Sequence, residues 1–252
     1  EQPLDPPEPI VDGLLYSVGV HWRYGPPGGG KTTLAMYVAL QAMLRDRPVA
    51  WIDYEGGDYV TAMRLQDMDI PLALAERGKD IDDLFVYLPW PQRVEETLAE
   101  LAAELRRGET APLIVIDSVS KALALQGKDE NSNTEVTQWT SHVVQASKLH
   151  RLPVIVIDHE AKQRTRGPRG AGAKDADADV VWHVVTPREH RWNRTRGGMI
   201  KAELAGKGDR YGSFHEVQWF SVGDGQGGLP VRPTAAPAGD DDGDAPTEIP
   251  AI

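Results

Sequence analysis

The chain has 252 residues, 40% of them hydrophobic and 26% charged, and contains no cysteine. This is ordinary globular usage, and it excludes a fibrous or largely disordered chain, a disulfide framework, Cys-ligated metal and thiol catalysis. Lys and Arg total 27 against 38 Asp and Glu, a formal net charge of -11, which taken alone argues against a nucleic-acid partner.

Residues 1–12 read as an extended arm on a single domain spanning residues 1–222. Val18–Tyr24 reads as a strand and Thr32–Arg45 as a helix. Between them stands Gly25-Pro26-Pro27-Gly28-Gly29-Gly30-Lys31-Thr32-Thr33, which matches G-x-x-x-x-G-K-[ST]. Glycines let the backbone wrap closely around phosphates, and the helix N-terminus points N–H groups at them. Lys31 is expected to reach the β and γ phosphates of ATP, and the Thr32 hydroxyl to ligate Mg²⁺. The next strand, Pro48–Tyr54, contains Asp53 and leads into Glu55-Gly56-Gly57. A carboxylate just beyond a strand end suits orientation or deprotonation of an attacking water, although a solvated turn acid has the same pattern.

Leu84–Leu88 reads as a strand and Val94–Arg107 as a helix. Leu113–Asp117 places four apolar residues before an acid, the mark of a buried parallel strand delivering a carboxylate to its C-terminal edge, where Asp117 would hold the metal. Glu135–His150 reads as a helix, capped by Asn133 or Thr134. Val154–Asp158 is a further strand, and His159 after it is placed to sense a γ phosphate. Lys162, Arg164, Arg166, Arg169 and Lys174 follow in a Gly-rich loop, spaced to neutralise nucleic-acid phosphates; a solvated loop would read alike.

Strands at Val180–Val185, Met199–Leu204 and Phe214–Phe220 are closely spaced, as antiparallel neighbours are. Arg188, Arg191, Trp192, Arg194, Arg196, Lys207, Arg210 and Tyr211 lie among them, and Trp192 would either stack on a base or cover a hairpin. Trp22, Trp51, Trp139, Trp182 and Trp219 read as core or interface residues, and the histidines show no zinc-ligand spacing. From Gly223 onward the chain is Gly/Pro/Asp-rich and reads as a flexible acidic tail. Its acids are Asp224, Asp240, Asp241, Asp242, Asp244 and Glu248 against Arg232 alone, so it holds five of the eleven net negative charges. No segment approaches the roughly 18 apolar residues of a membrane span. A positive n-region followed by an apolar h-region is not seen, so a cytoplasmic protein without a signal peptide is expected.

Alternation of strands and helices implies an α/β fold with a mainly parallel sheet. The phosphate loop, Glu55, Asp117, Lys128-Asp-Glu-Asn131-Ser-Asn133 before a long helix, and Asp158-His159-Glu-Ala-Lys162 before an Arg-Gly loop together resemble RecA-like P-loop ATPases. They are most similar to the hexameric replicative helicases typified by the RepA helicase of broad-host-range plasmids and by related phage and mobile-element ATPases. The resemblance implies a RecA-like core with antiparallel strands added at its C-terminal end, ATP and Mg²⁺ bound between subunits of a ring, Glu55 as catalytic base, Asp117 as the Walker B acid and His159 as sensor. It further implies that the loop of Lys162 to Lys174 touches single-stranded DNA, and that Lys207 and Arg210 act in trans on a neighbour's nucleotide. In this family the two are one residue closer, and Arg169 is the fallback. The function expected is a ring motor translocating on DNA, with a replication partner on the acidic tail. The rivals are a RecA-like recombinase or strand-annealing ATPase, and an ATP-switched loading module.

Overall fold

The computed structural model describes residues 7–130, 132–160, 177–192, 196–223 and 228–237. A small antiparallel hairpin, β1 (Pro9–Val11) with β2 (Leu15–Tyr16), opens the fold. Nine strands then form one sheet: β3 (Gly19–Gly25), β4 (Val49–Asp53), β5 (Phe85–Pro89), β6 (Leu113–Asp117), β7 (Pro153–His159), β8 (Val180–Val185), β9 (Gly198–Asp209), β10 (Val217–Val222) and β11 (Val231–Thr234). Their spatial order is β11-β10-β9-β8-β3-β7-β6-β4-β5. From β8 to β5 every pairing is parallel. Runs such as Leu113-Ile-Val-Ile are apolar throughout because both faces of these strands are covered.

Helices α1 (Lys31–Leu44), α2 (Asp58–Asp67), α3 (Ile70–Ala75) and α4 (Ile81–Leu84) precede β5, while α5 (Val94–Glu104), α6 (Val119–Leu125) and α7 (Asn133–His150) follow it. Period-two alternation sorts the strand side chains. Val115, Ile155 and Trp182 meet Leu34, Met36 and Val38 of α1 in one core. Ile114, Ile116 and Val156 meet Leu98, Leu123, Trp139 and Val143 in the other. The five tryptophans expected inside are all buried.

Four expectations need correction. First, part of the arm of residues 1–12 is a strand, because Ile10 and Val11 bury against the α1 core. Second, β8 is antiparallel only to β9; on its other side it continues the parallel set beside β3, since a long connection from β7 separates them in sequence. Third, part of the expected tail folds: Val231–Thr234 pairs antiparallel with β10, and Leu229 and Val231 are buried. Fourth, α7 is capped by Ser132, whose hydroxyl accepts from the Glu135 amide (3.4 Å), one residue before the two candidates. The remainder of the tail, residues 224–227 and 238–252, lies outside the described residues.

Candidate nucleotide site

β3 ends at Gly25, and the chain turns through Pro26–Gly30 into α1. Two glycines have identifiable reasons to be there. A Cβ on Gly25 would lie 2.0 Å from the Val184 carbonyl of β8, and Gly30, at the α1 N-terminus, has φ of 90° with Ile200 2.6 Å from where a Cβ would sit. Side chains there would push the loop off the sheet or clash with β9. No side chain caps α1, so its first-turn N–H groups face the loop. Lys31 folds back, its Nζ donating to the Gly25 and Pro26 carbonyls at 2.9 Å each. Burial holds its pKa below the usual lysine range.

Three acids converge beside this loop because the parallel register aligns Asp53 of β4 with Asp117 of β6. The Thr32 hydroxyl donates to Asp117 Oδ2 at 2.9 Å. Burial pushes the Asp117 carboxyl up to about 6, opposed by the Thr32 hydrogen bond. Glu55 lies beyond β4 with its side chain 41% exposed, Oε2 standing 3.3 Å from His159 Nε2 at the end of β7. An ionised carboxylate only accepts, so the ring hydrogen of this contact sits on Nε2. That hydrogen bond leads the causes that pull Glu55 down to about 2, against the opposing effect of burial. His159 Nδ1 is buried and has no hydrogen-bond partner among the described residues.

Asp53, which the sequence offered only as part of the strand, organises the approach to Glu55. Its Oδ1 accepts from the amides of Glu55 (2.7 Å) and Gly56 (2.8 Å), and its Oδ2 from Thr61 and Tyr87 hydroxyls at 3.1 Å. Its role was hidden because the donors come from a turn, α2 and β5. Arg64 of α2 was missed for the same reason: it lines the site and lowers the Asp117 pKa through its charge.

One cavity of about 760 Å³ unites these groups. It takes in residues 26–33, Glu55, Asp117 and His159, and extends past Met63, Met68, Trp192 and Leu229. The sequence-predicted loop residues Lys162, Arg164, Arg166, Arg169 and Lys174 lie outside the described residues. Lys207 and Arg210 stand at the far end of the sheet, because β9 runs antiparallel to β8 and pairs Asp209 with Val180, whereas the phosphate loop follows the other end of β3. They cannot join the phosphate loop of their own chain. Arg210 donates to Asp179 Oδ1 (2.7 Å) and to the Ala178 carbonyl (3.3 Å). The β8–β9 register shifts between Val180 and Trp182, within the stretch of β9 that carries Lys207. No group of three or more His, Cys, Asp or Glu residues that could hold a metal occurs among the described residues, and none of their helices is long and apolar enough to cross a membrane.

The family model described as "AAA domain" matches residues 1–165, which include the phosphate loop and the three acids of the site. The chain belongs to the AAA domain family. Within this AAA domain chain, 174 residues are 26% identical to the DNA repair and recombination protein RadB of Methanococcus maripaludis, over 66% of this chain and 75% of that one. A stretch of 217 residues is 24% identical to the DNA repair protein RadA of Listeria monocytogenes, over 85% of this chain and 40% of the relative. Among solved structures, a KaiC-like protein from Pyrococcus horikoshii OT3 superposes with a TM-score of 0.62 at 13% identity, covering 91% of this chain and 98% of that one. The fold is therefore the RecA-like P-loop ATPase fold expected from the sequence. Assignment to the plasmid-helicase branch rests on the motif resemblance alone.

Proposed function

We propose that the protein is a Mg²⁺-dependent ATPase that works on DNA in the manner of a recombination or repair ATPase. The observation that carries the catalytic half is the convergence of Thr32, Asp117 and Glu55 on the phosphate loop, with the first two already hydrogen-bonded at 2.9 Å. The similarity to proteins named for DNA repair and recombination supports the DNA half, and it favours this reading over the replicative ring helicase.

The site fits a divalent ion on its own chemistry. Thr32 and Asp117 are hard oxygen donors side by side, and Asp117 is a buried carboxylate whose charge is disfavoured until a cation arrives. Mg²⁺ there would neutralise charge on the β and γ phosphates. Lys31 would exchange its two loop carbonyls for phosphate oxygens, and the glycine-turn amides would cradle them. Glu55 would orient the attacking water and accept its proton. At a pKa near 2 it is a poor base while His159 holds it, so rotation of His159 toward the γ phosphate would release Glu55 and raise its basicity. Lys207 and Arg210, remote from their own loop, would act on a nucleotide only across a contact between two copies. Lys162, Arg164, Arg166, Arg169 and Lys174 would bind single-stranded DNA, and residues 235–252, beyond the folded strand, would serve as a docking peptide.

The test is an ATPase titration with single-stranded DNA at several salt concentrations, with Lys31→Ala as control. A DNA-dependent rise in rate that weakens with salt, abolished by Lys31→Ala, is expected. Hydrolysis unaffected by Lys31→Ala refutes the site, and a rate indifferent to DNA points to the loading-switch alternative. Electron microscopy of the ATP-bound protein separates filaments, expected for a recombinase, from rings.

A further inference from the structure

Away from the nucleotide site, the core between the sheet and α1 gathers hydrogen-bond donors for which it supplies no acceptor. Arg23 lies within β3, 0% exposed, with Ile157 of β7 and Trp182 of β8 as its register neighbours. Its one hydrogen bond among the described residues, from Nη2 to the Leu14 carbonyl in the β1–β2 turn, is long at 3.5 Å, and Nε and Nη1 have none. Trp182 Nε1, which can only donate, is buried on the same face and also has no partner among the described residues. His21, two residues before Arg23 on that face, accepts from the Tyr16 amide through Nε2, which leaves its proton on Nδ1. These rings are contiguous: the Phe214 centroid lies 6.2 Å from that of Trp182 and 6.4 Å from that of His21.

Burial pulls the Arg23 guanidinium down only to about 9, so it keeps its charge at neutral pH. A buried charge needs a counter-charge, and water offers hydrogen bonds without one. No carboxylate among the described residues bonds to Arg23. Asp209, whose charge is felt at His21, is taken up by the Tyr16 hydroxyl and by the amides of Tyr211, Ser213 and Phe214. Buried donors without acceptors around one uncompensated cation are the signature of a bound anion.

We infer that this core binds a small monovalent anion of the halide class, chloride in solution, with the Arg23 guanidinium and Trp182 Nε1 donating to it and His21 beside it. One negative charge matches one guanidinium, whereas a sulfate or phosphate would add charge and more volume than a close-packed core admits. The β1–β2 hairpin, tied down by the Gln218 side-chain amide donating to the Gly13 carbonyl, closes the ion off from solvent. Arg23 stands two residues before Gly25, so the ion also steadies the strand from which the phosphate loop departs. The inference is independent of the ATPase reading.

The test is thermal unfolding of the full chain in sodium chloride and in sodium gluconate at equal ionic strength. Once chloride exceeds its dissociation constant, the midpoint should climb about 3–5 °C per tenfold rise in chloride beyond its climb in gluconate, the mass-action increment for a ligand held only by the folded state. Arg23→Met should abolish the difference between the salts while remaining at least as stable in gluconate as the unmodified protein, because an apolar side chain of similar length needs no counter-charge. Trp182→Phe should narrow the difference. Crystals of the unmodified protein grown in sodium bromide should show an anomalous peak within hydrogen-bonding distance of Arg23 and Trp182 Nε1, a measurement that decides even where Arg23→Met fails to fold. Equal responses to the two salts, or bromide crystals without that peak, overturn the inference. A difference that persists in Arg23→Met overturns it as well, since chloride would then act elsewhere.

Discussion

The two ends of the central sheet solve the problem of buried polar groups in opposite ways. At the far end, acids and donors satisfy one another. Asp179 Oδ2 accepts from the Val20 amide (2.9 Å) and Oδ1 from Arg210. Asp209 accepts from the Tyr16 hydroxyl (2.6 Å) and from the amides of Tyr211, Ser213 and Phe214. At the phosphate-loop end, Lys31 bonds only to its own loop's carbonyls, Asp117 is held near a pKa of 6 by burial, and the His159 Nδ1 and Thr186 hydroxyl have no partners among the described residues. A closed network is architecture, whereas groups left incompletely satisfied in a cavity are poised for a ligand. The difference marks the phosphate-loop end as the candidate site.

Breaking the open end should cost turnover with little stability. Glu55→Gln should lower the ATPase rate by about a hundredfold or more, the usual contribution of a positioned base, while ATP affinity and thermal stability change little. A rate within a few-fold of the unmodified protein would remove Glu55 from the chemistry. Breaking the closed end should do the reverse. Asp179→Ala orphans a buried amide and removes the carboxylate partner of Arg210, and a loss of about 2–3 kcal/mol in denaturant unfolding is expected. Arg210→Ala should cost less, because Arg210 is 43% exposed against 5% for Asp179 and solvent screens its charge. The pair of variants sharpens the comparison. If Arg210→Ala abolishes turnover while stability barely moves, Arg210 serves a neighbouring copy's nucleotide; if both fall only modestly, it belongs wholly to the closed network.

Legibility from sequence followed the same division. The phosphate loop was readable because nine consecutive residues carry it, and Glu55 and Asp117 because strand ends are marked by an acid after apolar residues. The mainly parallel sheet was readable from alternation. Asp53 was not, since its anchoring role needs Thr61 and Tyr87, which meet it only after α2 and β5 pack. β11 was obscured because its strand is short and contains Pro233 at the sheet edge, where a missing N–H is tolerated. The stretches α2 to α4 were also missed. They are short helices with Pro71 and Gly57 at their borders, and their helicity depends on covering Trp51 and Val115 more than on local propensity.

His21 and Arg23 of β3, both fully buried with nitrogens that have no partner among the described residues, break the pattern of the closed end, and His21 supplies the finest test of it. His21 of β3 is fully buried; its Nε2 accepts from the Tyr16 amide at 3.4 Å, and Nδ1 has no partner among the described residues. Burial first, then the charge of Arg23 two residues on, lower its pKa to about 3. A base depressed in the folded state contributes stability that is complete above its unfolded value near 6.5 and is lost as pH falls toward 3, because the unfolded chain takes up the proton first. The expected slope is about 1.4 kcal/mol per pH unit. Asp117 works in the opposite direction below about 6, and Glu55 adds its own loss only below about 4.5. Both are shared by the unmodified protein and His21→Gln, so they cancel in the difference between the two. Denaturant unfolding of the pair between pH 7.5 and 5 should therefore show the advantage of histidine over glutamine shrinking at about that slope below 6.5. A constant difference would mean that His21 accepts its proton in the folded state, and that the far end of the sheet is open to water after all.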